Sequence, residues 1–177
     1  FPLQCLRDSD VVGHSVLGTD WECCIPPRVV QTSESTMFGK AHFDALLAMR
    51  GLNPGVHFEI WDRRRRDQYM DNMWGDHPVG DLYRRSCFGA MKADLFRYCV
   101  VFDKGGFYLD VNKLIIAPLR SLVDSDSHGL ISFEQNYNEL PSPGPNACLR
   151  LQHPDRWVVQ WAFGFKSGHP FLARVIQ

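Results

Sequence analysis

The sequence predicts a single α/β domain in which helices flank a mostly parallel sheet. Segments with the period of a strand alternate along the chain with segments that have the period of a helix, which is the order of βαβ units. The strand-like segments are short apolar runs bounded by proline or glycine. The chain has 177 residues, 45% hydrophobic and 22% charged, which is enough to bury one core. We expect an N-terminal arm over residues 1–24 and the domain over residues 25–177.

The first third of the domain predicts a strand, a helix and a second strand. "IPPRVVQT" (25–32) is a short apolar run bounded by prolines, which is typical of a strand entered from an irregular arm. Residues 36–50 carry apolar side chains at helical spacing, and Gly51 and Pro54 supply the stop signal. "VHFEIWD" (56–62) alternates apolar with polar or aromatic residues and predicts the next strand.

A long apolar helix followed by a strand is predicted in the middle of the chain. Residues 63–80 begin with four arginines, and we expect a solvated surface segment with one or two helical turns. Residues 86–102 are apolar at nearly every position, as in a helix packed on a sheet. Asp103 to Gly106 then turn the chain into the strand "FYLDV" (107–111).

The C-terminal third predicts three more strands, a loop and a final helix. The helix has a proline in its first turn, a position that tolerates the missing N–H. The segments are the strands 113–119, 129–134 and 157–166, the proline-rich loop 136–146 and the helix 169–177.

Composition excludes several classes of partner. Lys and Arg number 19 and Asp and Glu number 20, so no overall positive field attracts nucleic acid or an anionic membrane surface. No run approaches the roughly 18 apolar residues of a membrane span, so we expect membrane contact only through an anchor outside this chain. The chain starts without Met and stops inside a helical pattern, so we expect a C-terminally truncated piece of a longer protein.

The six cysteines do not indicate a zinc site, because no C-x-x-C pair is present. Cys99 lies in the apolar run "YCVVF", which favours a buried cysteine that packs as a small hydrophobe. Cys5, Cys23 and Cys24 lie in polar sequence, where an oxidising compartment would let them pair. These cysteines alone do not indicate whether the protein occupies an oxidising or a reducing compartment.

Two polar residues, Asp110 and Asn112, end the predicted strand "FYLDV". Ligands of open α/β sheets bind beyond the carboxyl ends of the strands. Residues two apart on a strand share a face, so both side chains are expected to converge on one ion or phosphate group. A turn after a strand also favours Asp and Asn, and this alternative stays open.

Upstream, "KADLFRY" places Asp94 and Arg97 three residues apart on one helical face. Charges are costly in so apolar a segment unless they pair or bind a ligand. The alternatives are an intrahelical ion pair, or a carboxylate and a guanidinium that contact sugar hydroxyls and phosphate. We expect Asp94, Arg97 and Asp110 to meet in one pocket, because the Gly-Gly turn brings the strand back beside the helix.

Four motifs in order resemble the glycosyltransferases that carry the DXD sugar-binding motif. The motifs are "IPPRVVQT", "NPGVHFEIWD", "KADLFRYCVVFDKGGFYLDVN" and "FGFKSGHPFL", which span Ile25 to Leu172. This family includes Golgi α-1,6-mannosyltransferases and enzymes of capsular polysaccharide and glycolipid synthesis. The third motif is the most specific.

The resemblance implies a fold and a reaction. The fold is GT-A, with a Rossmann-like sheet. The reaction transfers a hexose from a nucleotide-diphosphate sugar donor to a glycan or lipid-linked acceptor, with retention at the anomeric carbon. The implied cofactor is a divalent metal ion, Mn²⁺ or Mg²⁺, and the implied location is the Golgi or another secretory-pathway lumen.

The resemblance also assigns roles to residues around the DXD position. Asp94 and Arg97 would hold the sugar and phosphate oxygens of the donor, and Tyr108 would shape the pocket. Asp110 would contact ribose or sugar hydroxyls and bind the metal, and Asn112 stands where relatives carry their main metal-binding Asp. Arg97 and Asp110 are thus the candidate catalytic residues.

Further roles fall on other strands. Gln31 and Thr32 would open the nucleotide pocket, and Gln160 stands where relatives carry an Asn close to the donor sugar. Ser33 stands where relatives carry an aromatic residue that stacks on the donor base. Gln160 also suits an ordinary half-exposed strand.

Asn112 departs from the pattern of the family. The D-V-N sequence supplies one carboxylate and one amide oxygen, and hard cations prefer carboxylates, so we expect weaker metal binding. The alternative to an active enzyme is a catalytically weak or inactive relative that binds a nucleotide sugar, a glycan or a protein. Another type of nucleotide-binding domain is disfavoured, since neither G-x-G-x-x-G nor G-x-x-x-x-G-K-[ST] is present.

Overall fold

A computed structural model describes residues 2–10, 21–134 and 158–177 of the chain. No helix within these ranges is long and apolar enough to cross a lipid bilayer. The strands are β1 (Leu3–Cys5), β2 (Arg28–Thr32), β3 (Met37–Gly39), β4 (His57–Trp61), β5 (Gly106–Leu109), β6 (Gly129–Leu130) and β7 (Ala162–Phe165). The helices are α1 (Lys40–Gly51), α2 (Arg63–Trp74), α3 (Pro78–Arg85), α4 (Gly89–Lys104) and α5 (Pro170–Ile176), with a 3-10 turn at Leu119–Leu122.

The central sheet has five strands in the order β4-β2-β5-β7-β6 and is mixed. Strand β2 pairs in parallel with both β4 and β5, whereas β7 pairs antiparallel with both β5 and β6. Four strands therefore run in one direction and β7 runs against them. The expectation of an α/β fold is confirmed. The expectation of a mostly parallel sheet was wrong for the strand pairings, because two of the four are antiparallel.

Each face of the sheet is covered by helices, so the central strands β2 and β5 are buried on both sides. Neighbouring residues of β2 point to opposite faces: Val29 packs in a cluster with Leu46 of α1, and Val30 packs in a cluster with Phe96 of α4. All four of these side chains are fully buried. Full burial of such a side chain stabilises the fold by about 1.5–3 kcal/mol.

A Gly-Gly turn joins α4 to β5 at the amino edge of the sheet. Gly105 and Gly106 have φ angles of 68° and 104°, which side chains rarely adopt. A methyl group on Gly106 would lie 2.8 Å from the carbonyl oxygen of Arg28. The two glycines therefore let β5 start directly beside β2, and β5 then delivers Asp110 to the opposite edge.

The surface segment predicted over residues 63–80 is two helices, α2 and α3. The side chain of Asp62 caps α2 by accepting a hydrogen bond from the backbone N–H of Arg65. One face of α2 is buried through Arg66, Tyr69 and Met70. The predicted one or two helical turns were too few, because four consecutive arginines mask the buried face of the helix.

The predicted strands of the C-terminal third are shorter than expected or absent. Residues 113–118 form no strand, although their exposure alternates as in one, because they pair with no neighbouring strand among the described residues. Of residues 129–134 only Gly129–Leu130 is a strand, and of residues 158–166 only Ala162–Phe165 is one. The predicted loop 136–146 and residue 157 lie outside the described residues.

The N-terminal arm is partly regular, and it packs on the domain. Strand β1 pairs antiparallel with β3, which occupies the start of the helix predicted from residue 36. Leu6 is fully buried in the core cluster of α1. Asp8 accepts a hydrogen bond from the backbone N–H of Ile60 at 2.7 Å. Residues 3–8 therefore belong structurally to the domain, which corrects the expectation of an irregular arm.

Cys99 is fully buried, as the sequence predicts, and burial raises the pKa of its thiol to about 12. The thiol therefore stays protonated and packs as an apolar group. Cys5, Cys23, Cys24 and Cys87 are also free cysteines. No disulfide joins the cysteines within the described ranges.

Candidate functional site

Four elements bring polar residues to the carboxyl edge of the sheet. Parallel β2 and β5 end there, and Asp110 directly follows β5. Helix α4 runs back against β5, so its first turns, with Asp94 and Arg97, lie at the same edge. Strand β7 runs in the opposite direction and begins there, two residues after Gln160.

Arg97 joins three of these elements. Its Nη2 donates to Asp94 Oδ1 at 2.5 Å and lies 3.6 Å from Asp110 Oδ1, while its Nη1 donates to the backbone oxygen of Gln160 at 2.7 Å. The Arg97 side chain is 8% exposed, whereas those of Asp94 and Asp110 are 51% and 31% exposed. The structure therefore brings Asp94, Arg97 and Asp110 together. The ion pair within the helix that the sequence also predicted is the contact between Arg97 and Asp94.

Tyr108 sits beneath this cluster and orients Asp110. Its hydroxyl donates to Asp110 Oδ1 at 2.8 Å, and the guanidinium of Arg97 lies over its ring at 4.8 Å from the centroid. Burial raises the pKa of Tyr108 well above its usual value of 10, an effect that Arg97 partly opposes. The phenol therefore remains a hydrogen-bond donor at neutral pH.

The cluster carries one net negative charge, because one guanidinium faces two carboxylates. Ionised carboxylates accept several hydrogen bonds, so the exposed oxygens of Asp94 and Asp110 suit a ligand with hydroxyl groups. A bare phosphate would be repelled by two carboxylates unless a cation accompanied it. The geometry thus suits a ligand with several hydroxyl groups. It suits a phosphate group only when a metal ion binds with it.

Asn112 is placed differently from the expectation. Strand β5 ends at Leu109, and the backbone N–H of Lys113 donates to the oxygen of Asp110 at 2.9 Å, so residues 110–113 form a turn. The rule that alternate strand residues share a face therefore does not apply to Asp110 and Asn112. The side chain of His42 contacts the backbone oxygen of Val111 at 2.7 Å and ties this turn to α1.

The described ranges contain no group of three or more His, Cys, Asp or Glu side chains placed to hold a metal ion. Asp110 and the exposed Asn112 supply two oxygen donors of the type that Mg²⁺ and Mn²⁺ prefer. Mg²⁺ commonly binds through one or two carboxylates together with substrate phosphates. A metal ion at this edge would therefore take most of its ligands from a bound diphosphate or water.

Gln31 and Thr32 end β2 at the same edge but on opposite faces. Gln31 pairs in register with Ile60 and belongs to the face covered by α1. It is fully buried, and neither polar atom of its amide has a hydrogen-bond partner among the described residues. An unpaired buried amide costs about 1–3 kcal/mol. Gln31 and Arg97 therefore lie on opposite faces of the sheet.

Thr32 lies on the face of α4, with its hydroxyl already engaged. The hydroxyl donates to the backbone oxygen of Trp61 at 2.8 Å and accepts from Nη1 of Arg66 at 3.1 Å. The side chain of Gln160 is exposed, and its backbone oxygen is the group that Arg97 binds. The donor-binding roles expected for Gln31, Thr32 and Gln160 stay predictions.

Arg66 and Glu34 are the residues at this edge that the sequence analysis missed. The Arg66 side chain is 1% exposed, and its Nη2 contacts Glu34 Oε1 at 2.8 Å. The missed signal is the spacing of Arg66 with Tyr69 and Met70, which places this arginine on the buried stripe of α2.

Comparison with known proteins supports the resemblance. The chain is 24% identical over 133 residues to the initiation-specific alpha-1,6-mannosyltransferase of Candida albicans, covering 70% of this chain and 33% of that protein. It is 22% identical over 135 residues to the protein of the same name from Saccharomyces cerevisiae, covering 61% of this chain and 28% of that protein. The similarity is to mannosyltransferases. The chain spans about a third of the length of these relatives. No protein-family model matches the chain.

Proposed function

We propose that this chain is the donor-binding part of a retaining glycosyltransferase with a GT-A fold. It transfers a hexose from a nucleotide-diphosphate sugar to a glycan or lipid-linked acceptor, in the Golgi or another secretory lumen. The observation that carries the proposal is the cluster of Asp94, Arg97 and Asp110 at the carboxyl edge of the sheet. The cluster lies in a chain that is similar to two proteins named as mannosyltransferases.

Each member of the cluster has a separate task in donor binding. Asp94 and Asp110 accept hydrogen bonds from hydroxyls of the donor, and Tyr108 holds Asp110 in position by donating to it. Arg97 provides a fixed positive charge beside the diphosphate. The diphosphate leaves with the electron pair of its bond to the anomeric carbon, while the acceptor oxygen bonds to that carbon and passes its proton to the leaving phosphate. Such preorganised charge stabilises developing negative charge in the transition state. Arg97 and Asp110 are therefore the proposed catalytic residues.

A divalent ion, Mn²⁺ or Mg²⁺, is the proposed cofactor, with Asp110 and Asn112 as its protein ligands. The net negative charge of the cluster favours such an ion. When bound, the ion would neutralise charge on the phosphates of the leaving group. Asn112 contributes an amide oxygen and no charge, so the ion binds more weakly than it would between two carboxylates.

The proposal is tested by screening UDP- and GDP-hexoses for binding and slow hydrolysis, with and without Mn²⁺. We expect one nucleotide sugar to bind and to be hydrolysed faster with Mn²⁺, and Asp110→Ala to abolish both effects. Asp81→Ala is the matched control, because Asp81 is a 46% exposed carboxylate on α3 that pairs with Arg85 at 2.7 Å. Failure of every nucleotide sugar to bind would contradict the proposal. Binding without hydrolysis would identify an inactive relative.

A further inference from the structure

Two buried arginines each hold a half-exposed carboxylate at the carboxyl edge of the sheet. One pair is Arg97 with Asp94. The other is Arg66 with Glu34, whose side chains are 1% and 57% exposed and whose Nη2 and Oε1 atoms lie 2.8 Å apart. An ordinary surface ion pair needs no buried arginine and contributes at most about 1 kcal/mol. The second pair therefore resembles the first, because in both a buried arginine contacts a more exposed carboxylate.

Arg66 is fixed by partners on three sides. Its Nε donates to the hydroxyl of Tyr83 at 3.1 Å and its Nη1 donates to the hydroxyl of Thr32 at 3.1 Å. Tyr83 in turn donates to Asp67 at 2.6 Å. Burial alone would lower the pKa of Arg66, but its hydrogen bonds to Glu34 and Tyr83 outweigh burial and raise it. Arg66 is thus a permanent cation with a single orientation.

Glu34 lies beside the cluster already described. It follows the end of β2 by two residues and packs against the start of α4, where a methyl group on Gly89 would lie 2.6 Å from Glu34 Oε1. Strands β2 and β5 pair side by side in parallel, so Glu34 and Asp110 follow the carboxyl ends of neighbouring strands.

We propose that Glu34 is a further donor-binding residue and that Arg66 positions it. Oε1 of Glu34 is held by Arg66, which leaves Oε2 to accept hydrogen bonds from ligand hydroxyls. The ligand group is a hydroxyl of the donor, on either the ribose or the transferred sugar. This inference rests on the proposed function and extends the donor site from β5 across to β2.

The test compares Glu34→Ala and Glu34→Gln with the unmodified chain by calorimetry. The probes are UDP and GDP with ribose or 2′-deoxyribose, and the UDP- and GDP-hexoses. We expect Glu34→Ala to weaken binding of the preferred probe roughly tenfold to a hundredfold, as for a lost hydrogen bond to a charged group. If the ribose is the partner, the 2′-deoxy probe binds both proteins equally weakly. If the sugar is the partner, only the nucleotide hexose loses affinity.

A role confined to stability predicts a different pattern. Thermal unfolding of the free Glu34→Gln protein is expected to occur at a lower temperature, because Arg66 is 1% exposed and loses its anionic partner. Affinities are therefore compared at a temperature where both proteins are folded, and a role confined to stability predicts unchanged affinities there. The ratio between the affinities of the Glu34→Gln protein for probes with and without the contacted hydroxyl is nevertheless expected to fall. Asp81→Ala is again the control, and its affinities are expected to stay unchanged.

The outcomes separate this inference from the proposed function. Equal affinity of Glu34→Ala and the unmodified chain for every probe overturns the role of Glu34, while loss of binding in Asp94→Ala in the same series leaves the proposed function standing. If the unmodified chain binds none of the probes, both are overturned.

Discussion

Arg97 is the residue on which the account depends, because it contacts groups from three different elements. It reaches a carboxylate one helical turn before it, the carboxylate after β5 and a backbone oxygen before β7. A planar guanidinium can serve several acceptors in one plane, whereas an ammonium acts as a single point of charge. The identity of this residue therefore matters beyond its charge.

Replacing Arg97 by Lys tests this point. We expect Arg97→Lys to weaken binding of the preferred nucleoside diphosphate roughly tenfold, because Lys keeps the charge and loses the fork of donors. Calorimetry measures the effect, and Arg84→Lys on the exposed side of α3 is the control. Unchanged affinity in Arg97→Lys would show that Arg97 serves only the ion pair within α4.

The second residue with a decisive test is Asn112. Asn112→Asp adds one negative charge beside a dication, so we expect tighter Mn²⁺-linked binding of the nucleoside diphosphate. Mn²⁺ is titrated against both proteins at fixed nucleotide concentration. Weaker binding in the variant with no dependence on Mn²⁺ in either protein would show that the metal assignment is wrong, since the new carboxylate would then simply repel the diphosphate.

At the scale of elements, the unit of α4, the Gly-Gly turn and β5 sets the geometry of the site. Helix and strand are adjacent in sequence, so the turn alone determines how Asp110 returns beside Arg97. This local connection explains why the sequence could predict that Asp94, Arg97 and Asp110 meet.

Gly106→Ala is expected to destabilise this unit. The variant forces a side chain into a φ of 104° and places its Cβ 2.8 Å from the carbonyl oxygen of Arg28. We expect a loss of about 1–3 kcal/mol in the free energy of unfolding, measured by urea denaturation. Gly168→Ala separates the two causes, because Gly168 has a φ of 67° and no heavy atom within 4 Å of its added Cβ. A Gly106→Ala protein no less stable than Gly168→Ala would contradict the steric argument.

The elements that the sequence predicted are those with a strong local pattern. Strand β2 follows two prolines, β4 lies in an alternating run, α4 contains a long apolar run, and α5 starts at a proline with His169 as its N-cap. The length of helix α2 was underpredicted because its arginines hid the buried stripe. Residues 113–118 were overpredicted because an alternating pattern forms a strand only where a partner strand is available.

At the scale of the whole molecule, the sheet order decides which distant residues meet. The order β4-β2-β5-β7-β6 places the end of β2 next to the end of β5, and the reversed β7 brings the backbone of Gln160 to Arg97. Periodicity carries no information on strand order, so the contact of Arg66 with Glu34 could not be predicted.

The central claim is that the carboxyl edge of the sheet binds the nucleotide sugar, and the most direct test is to map the bound ligand by NMR. The chain is 20.3 kDa, so its backbone amide resonances can be followed while the preferred nucleoside diphosphate is titrated with diamagnetic Mg²⁺ present. We expect the largest shifts in residues 31–34, 89–97 and 109–112. Shifts confined to the opposite edge, around Gly105 and Asn53, or no shifts at all would contradict the account.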